Sequence, residues 1–430
     1  MQDNDFLIRW LNEWSFKKRE KSRFTHEIHK YPATFLPEVV SKIIETYSKQ
    51  GETVLDIFSG SGTTLLESMI LGRKSIGIEL NPLACLISKV KTTPINKKEI
   101  LKYLKTIKEN YFQKKYQNIV FENIEYWFNP ETSIYISSLL GSINEIENED
   151  IKDFSKISLS NILRNISYCK HSGFKMHRDR KKLSLNLEKN DLFDLFEESY
   201  IKNSYLLDSL NNKNISLSLK PKIINGDSTK FRKDIPLVDL IVTSPPYGDS
   251  PTTVAYGQFS RLSSQFLNLK SLSGIPIARL DNDLLGGKKS EINFEEIIKT
   301  SQTLKNIYEL FTLRSKSSSS KKDKSKIEAR LNDIITFYYD LFLCIKNSIS
   351  YLKEEKYLIL VTASRVVHEV KLHTDIIITE FALSLGMKLK NIHYRDIHNK
   401  RMPSKVSSTN IKGEITPTMT MESIIVLQKK

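Results

Sequence analysis

What most constrains this chain is a rhythm of short, apolar, β-rich runs separated by helical stretches. The runs are "TVLDIF" (53–58), "KSIGIEL" (74–80), "PKIIN" (221–225), "VDLIVTS" (238–244), "YLILVTA" (357–363), "KLKNIHYRDI" (388–397) and "ESIIVLQ" (422–428). Between them "TTLLESMILG", stopped by Gly72, "PLACLISKVK" and "TDIIITEFALSLGM" read as helices. Nearly continuous apolar strands are buried on both faces, and strand–helix alternation buries them under helices. The expectation is an α/β fold with a doubly wound, mainly parallel seven-stranded sheet. No helix separates the last two runs, so the last strand must return antiparallel to its predecessor.

Two stretches interrupt the rhythm. Residues 95–219 read as mostly helical, with Ile100, Leu101, Leu104 and Ile107 at helical spacing and Asn129-Pro130 as a helix start. Residues 251–331 end in "RSKSSSSKKDKSK", whose lack of apolar residues predicts a mobile loop. The chain divides accordingly: an N-terminal extension (1–28), an α/β domain (29–94, 220–250 and 332–430), a helical insertion (95–219) and a second insertion (251–331).

Composition narrows the partners. Of 430 residues, 65 are Lys or Arg and 50 Asp or Glu, a net charge of +15 that points to a polyanion, nucleic acid ahead of an acidic membrane surface. Cys85, Cys169 and Cys344 form no CxxC pair, and the histidines have no cysteine pair to complete a zinc set. Neither a disulfide framework nor a metal is expected. "MQDNDFLIRWLNEW" is no signal peptide and no apolar run is long enough to cross a bilayer, so a soluble intracellular protein is expected.

"LDIFSGSGTTLLES" puts Gly60 and Gly62 at a strand-to-helix turn, where a ligand can approach the backbone and free helix N–H groups. Glu79 closes the next strand, where a carboxylate can accept from ribose hydroxyls. A phosphate-cradling loop needs Gly-Lys-Ser/Thr, but Thr63-Thr64 follow Gly62. A dinucleotide site wants Gly or Ala at position 65, which is leucine. A nucleoside cofactor without a diphosphate remains, and S-adenosylmethionine fits.

Together, "VLDIFSGSGTT…GIELNP", "NGDS" and "TSPPY" resemble the amino-directed DNA methyltransferases, which methylate exocyclic amines of adenine or cytosine. The resemblance implies that Asp56, Phe58, Gly60, Gly62, Thr63 and Thr64 bind the methionine part of the cofactor. It implies that Glu79, followed by Asn81, holds the ribose and that Asp227 lies near the adenine. "HKYPATFLPEVV", with Tyr31, Pro32 and Pro37, looks like the segment that closes the methionine pocket in that family.

Ser244-Pro245-Pro246-Tyr247 carries the chemistry. An aromatic amine lone pair is delocalised into its ring, so an acceptor for its N–H groups frees it to attack. Ser244 offers an oxygen, a carbonyl held by the next proline offers another, and the prolines keep both aimed. Tyr247 supplies a face on which a flipped-out base can stack. Attack at cytosine C5 would need a thiolate next to proline, and no cysteine follows one. Serine in the leading position resembles the cytosine-N4 branch, although it also occurs with adenine.

For the nucleic acid, "RNISYCKHSGFKMHRDRKK" (164–182) supplies Lys170, Lys175, Arg178 and Arg180 around aromatic residues. It resembles an element of the cytosine-N4 relatives, with Ser172 and Phe174 departing from it. Tyr256 and Arg261 follow the Ser-Pro-Pro-Tyr motif, and Lys400 and Arg401 lie in a basic loop after the sixth strand. The partners implied are double-stranded DNA and a cognate restriction endonuclease, in a prokaryotic, nucleoid-associated cytoplasmic setting. The cofactor motif precedes the catalytic one, the reverse of the order common in the cytosine-N4 branch, and the large insertion follows the second strand. Residues 95–219 are expected to read the target. Two other readings stand: an RNA guanine-N2 methyltransferase, disfavoured by the short N-terminus, and a binding module with a relic cofactor fold, disfavoured by intact motifs.

Overall fold

The computed structural model describes residues 8–10, 14, 16, 24–170, 173–211, 219–248, 253–287, 294–397, 405–406, 416–417 and 421–430. Its main sheet holds β1 (Ile8–Trp10), β2 (Thr53–Asp56), β3 (Lys74–Glu79), β4 (Lys222–Asn225), β5 (Val238–Thr243), β6 (Leu352–Thr362), β7 (Lys388–Asp396) and β8 (Met421–Gln428). The spatial order is β1-β7-β8-β6-β5-β2-β3-β4. The seven expected strands are all present, and β1, an addition from the N-terminal extension, pairs parallel with β7 at the edge. β8 lies antiparallel between β6 and β7, with Ile425 opposite both Leu360 and Ile392.

Alternation along the strands sorts side chains onto two cores. Val54, Leu240, Val242, Ile359, Val361, Ile424 and Val426 pack on one face with Val39, Val40, Ile43 and Ile44 of α1 (Pro37–Tyr47). Their neighbours Leu55, Ile241, Leu358, Leu360, Ile425 and Leu427 pack on the other face with later helices. The strand order reverses between β2 and β5, which are paired with each other. In open α/β sheets a ligand crevice lies beyond the strand ends at such a switch point.

The remaining helices follow from local signals. α2 (Thr63–Ile70) starts after Gly62, and α3 (Pro82–Lys91) is capped by Asn81 with Pro82 at its first position. The helical insertion holds α4 (Lys97–Gln113), α5 (Ile124–Trp127), α6 (Pro130–Asn144), α7 (Glu149–Leu163) and α8 (Lys189–Asn211). Asn96, Asn129 and Asn148 cap α4, α6 and α7 with their side chains. α4 buries Ile100, Leu104, Ile107 and Tyr111, one stripe at helical spacing. The insertion shares a core with Leu83, Ile87 and Val90 of α3 and with Leu262 and Phe266 of α9 (Tyr256–Phe266). It is therefore anchored to the sheet domain by packing.

The serine/lysine tract is not the loop expected from its composition. α10 (Phe294–Lys299) is followed by α11 (Gln302–Ser317) and α12 (Lys321–Tyr351), and α13 (Thr374–Ser384) lies between β6 and β7. Within the tract only residues 318–320 are non-helical, and the Ser320 side chain accepts from the N–H of Asp323 to cap α12. Leu304, Ile307 and Phe311 before it, and Leu331, Ile334, Ile335 and Tyr338 after it, are buried against the sheet's second face. Packing on both sides carries helix through a stretch that composition alone leaves unstructured. Ser315, near the start of the tract, donates to Glu328 Oε1 at 2.8 Å across the two helices. Among the described residues no helix is long and apolar enough to cross a membrane.

Candidate active site

At the switch point the ends of β2 and β5 stand side by side. Asp56 ends β2 and is buried; its Oδ1 accepts from the Phe58 N–H (3.0 Å) and Thr243 Oγ1 (2.7 Å), its Oδ2 from Thr64 Oγ1 (2.6 Å). One carboxyl thus ties the glycine turn, the start of α2 and the end of β5 together. Burial raises its pKa to about 6, against the hydrogen bonds from Thr64, Thr243 and Phe58 that favour the charged form.

The turn itself requires its glycines. Gly60 has φ of 50° and Gly62 81°, a left-handed region that other residues reach only at a cost. A Cβ on Gly62 would stand 2.7 Å from Ser88 Oγ and 2.9 Å from Ser88 Cβ. Gly60 donates its N–H to Glu79 Oε2 at 2.8 Å, while Glu79 Oε1 accepts from the Asn81 N–H at 2.7 Å. Removal from water pushes Glu79 up to about 7; the N–H groups of Asn81, Gly60 and Leu80 oppose this and the charge of Asp56 adds to it.

One pocket gathers most of the expected residues. Tyr31, Pro32, Asp56, Phe58, Gly60, Thr63, Thr64, Glu79 and Asp227 all line it, together with Ser244 and Pro246. Other residues of the closing segment and of the loops after the strands complete the wall, among them Ala33, Thr34 and Phe35. Ala33 has φ of 48°, backbone strain at a ligand wall. Asp227 is held by Thr229, whose N–H (3.0 Å) and hydroxyl (2.7 Å) donate to its Oδ1.

Other expected residues stand elsewhere. Gly62 lies behind the wall, against α3. Asn81 is buried behind it too: its Oδ1 caps α3 and its amide nitrogen donates to Tyr31 Oη (2.9 Å) and Ser260 Oγ (2.7 Å). It positions Tyr31 and α9, and does not line the pocket. Pro37 opens α1. Pro245 is buried, and Tyr247 stands beside the pocket with its hydroxyl donating to Glu422 Oε1 at 3.0 Å. Glu422 Oε2 in turn lies 3.5 Å from Arg395. Burial, with the negative charge of Glu422, pushes the Tyr247 phenol well above its ordinary range.

Tyr256, expected on the nucleic acid side, lines the pocket and stacks on Tyr31 with ring centroids 6.0 Å apart. Phe259, one turn on, meets Tyr31 edge-on at 5.9 Å. Arg164 lies over the far face of this group, 5.1 Å from the Phe259 ring. Asp283, Leu284 and Leu285 also line the pocket, a contribution that no motif announced. The nearest signal is the Gly286-Gly287 pair just after them, where Gly286 has φ of 74° and packs on Phe337.

The basic segment is a hairpin. The Lys170 N–H donates to His177 O (2.9 Å) and the Asp179 N–H to Tyr168 O (2.7 Å). Its second arm reaches α9, since the Met176 N–H donates to Gln258 Oε1 at 3.1 Å. Lys170 and Arg180 are exposed and Lys175 is half-buried. Arg178 is used internally, stacked over Tyr126 (4.4 Å) and Tyr168 (5.3 Å). Arg261 lies on α9, and Lys400 and Arg401 lie outside the described residues.

The lining fits S-adenosylmethionine. Among the described residues it holds four carboxyl residues, Asp56, Glu79, Asp227 and Asp283, and no lysine, arginine or histidine. Such a wall opposes a diphosphate and suits a cationic nucleoside whose ribose hydroxyls meet Glu79.

Comparisons with known proteins agree. A family model described as DNA methylase matches residues 4–90. The chain is 34% identical over 462 aligned positions to the type II methyltransferase M.MvaI of Kocuria varians, covering 100% of this chain and 95% of that protein. It is 28% identical over 249 positions to the type II methyltransferase M.AvaI of a Nostoc species, covering 53% of this chain and 51% of that one. A match of this strength along the whole length makes the chain a member of the type II DNA methyltransferases, S-adenosylmethionine-dependent enzymes that methylate amino groups.

Proposed function

We propose that this enzyme methylates the exocyclic N4 amine of cytosine within a short sequence of double-stranded DNA. The observation that carries the reading is that Ser244 and Pro246 line the same pocket as Asp56, Gly60 and Glu79. An amine held at Ser244 therefore faces the cofactor space directly. The leading serine favours cytosine, by the likeness of the motif to the cytosine-N4 branch.

Tyr31, Phe58, Gly60, Glu79 and Asp227 would hold the cofactor, which supplies an electrophilic methyl on a sulfonium. Ser244 Oγ accepts an N–H of the substrate amine, and the carbonyl before Pro246 accepts the other. Both acceptors draw the nitrogen toward tetrahedral geometry and expose its lone pair, and the proline corner keeps them aimed without reorganisation. Tyr247 presents its ring to the extruded base, with its orientation fixed by the hydrogen bond to Glu422. No covalent enzyme intermediate is required.

On this reading the exposed Lys170 and Arg180, with Lys175 and Arg261, meet DNA phosphates beside the pocket, and the helical insertion reads the target. Arg178 acts by bracing the hairpin. The biological setting is a restriction-modification system with a cognate endonuclease, acting on the nucleoid in a prokaryotic cytoplasm. Incubating the purified protein with DNA and methyl-labelled cofactor, then separating nucleosides by mass spectrometry, tests it. Label in N4-methylcytosine is expected; label in N6-methyladenine alone would transfer the enzyme to the adenine branch.

A further inference from the structure

α3 ends in a lysine that the chemistry above leaves unused. Lys91 is 1% exposed, and among the described residues its ammonium makes one hydrogen bond, to Ser61 Oγ at 3.3 Å, and no ion pair with a carboxylate. Burial alone, with no acid to offset it, lowers its pKa to about 7. A lysine placed this way costs stability that packing does not return, because an aliphatic side chain of the same length would fill the space without a charge.

Its surroundings are held with care. Its main-chain carbonyl accepts from Thr25 Oγ1 at 2.7 Å, which fixes the chain just ahead of the closing segment to the end of α3. Close by, His26 Nε2 pairs with the buried Glu67 Oε1 at 2.7 Å. His29, at the start of the closing segment, bonds Ser160 Oγ at 2.8 Å, and burial first, with the Lys91 charge adding, lowers its pKa to about 4. That ring is thus neutral near pH 7 and adds no cation of its own.

Ser61 belongs to the pocket wall, between Gly60 and the start of α2. Among the described residues the wall offers carboxyl groups to the cofactor's cationic centres and ribose but no cationic side chain to its one anionic group, the carboxylate of the methionine part. The glycine loop is where the family resemblance puts that part. We propose that Lys91 is the positive charge that holds the cofactor's carboxylate, acting from behind the wall through Ser61. Ser61 accepts from the ammonium and turns its own hydroxyl hydrogen toward the carboxylate, so that charge is relayed without exposing the lysine. Lys91 is a positioning residue: it touches neither the methyl nor the base. The buried, unpaired lysine of the free enzyme finds its counter-charge when the cofactor arrives.

The test uses two ligands that differ in the amino-acid part. S-adenosylhomocysteine carries the carboxylate; 5′-methylthioadenosine keeps the adenosine and sulfur but lacks it. Lys91→Met removes the ammonium and keeps the aliphatic stem. Calorimetric titration of the full chain should show S-adenosylhomocysteine binding weakened roughly tenfold, the scale of one charge-assisted hydrogen bond. Binding of 5′-methylthioadenosine should stay within about twofold. Ser61→Ala, a smaller change that keeps the lysine and leaves its packing alone, should show the same selective loss. An equal loss for both ligands in Ser61→Ala would make the contact a packing device and overturn the proposal. Unchanged S-adenosylhomocysteine binding in Lys91→Met would overturn it too. The proposal rests on the cofactor assignment, and a wild-type chain that binds neither ligand would overturn that assignment separately.

Discussion

Asp56 and Ser244 sit at the ends of neighbouring strands and do different work. Asp56 spends its lone pairs on Phe58, Thr64 and Thr243, so it holds the site's shape, whereas Ser244 has its side chain on the pocket wall. Ser244→Ala should therefore bind cofactor as the wild type does and lose roughly 100-fold in turnover, the scale of one preorganised acceptor or donor in a polar site. Cofactor titration and a single-turnover methylation assay on the same preparation check both halves. Glu79 makes a second prediction. In the fold it keeps its proton up to about 7, against 4.5 ordinarily, so the folded chain binds more protons across that window. Its contribution to stability is present at low pH and lost as pH rises from about 4.5 to about 7. Melting Glu79→Gln and wild-type apoprotein across this range should give a smaller decline in Tm with pH for the variant. His29 and Lys91, whose shifts act in the opposite sense, are common to both proteins and cancel in the difference.

Elements show where local patterns sufficed and where they did not. The Gly60/Gly62 turn and the Asn129 cap of α6 were legible because a left-handed φ or an unpaired helix N–H is met within a few residues of chain. The serine/lysine tract misled because its helical state rests on apolar residues at either end, outside the tract, packing against the sheet. The basic hairpin was visible as charge, but charge did not reveal which cations face outward. Arg178 lies against two tyrosines, and Lys182 donates to the carbonyls of Asn165 (2.8 Å) and Ser167 (3.0 Å) beyond the end of α7. Lys170→Glu with Arg180→Glu should lower DNA affinity by roughly tenfold near 0.1 M salt, and the gap should narrow toward about 0.5 M. Arg178→Ala should instead lower Tm while leaving a shallower change in that salt slope. Fluorescence anisotropy over a salt series and thermal melting distinguish the two.

At the scale of the whole molecule, the pocket is assembled from segments far apart in the chain: 31–35, 56–64, 78–80, 226–228, 244–246, 256 and 283–285. A ligand touching all of them joins the sheet, the closing segment and the loop before α10. Saturating S-adenosylmethionine should raise Tm, by mass action worth about 2.7 kcal/mol at 100 times Kd. Hydrogen exchange should slow most at 31–35 and 283–285, which have the fewest strand hydrogen bonds of their own. Equal protection throughout the chain, or none at 283–285, would remove that loop from the binding site.

By itself the sequence determined the seven strands, the glycine turn, its acidic partner and the proline corner. Each depends on residues next to one another, where periodicity, φ preference and hydrogen-bonding capacity act directly. Only the tertiary structure decided that β2 and β5 are neighbours, that Asn81 and Gly62 serve from behind the wall, and that Asp283–Leu285 complete it. It also brought the ammonium of Lys91 to Ser61 across thirty residues of chain. Those relations come from packing between segments distant in sequence, and no local pattern records which surfaces will meet.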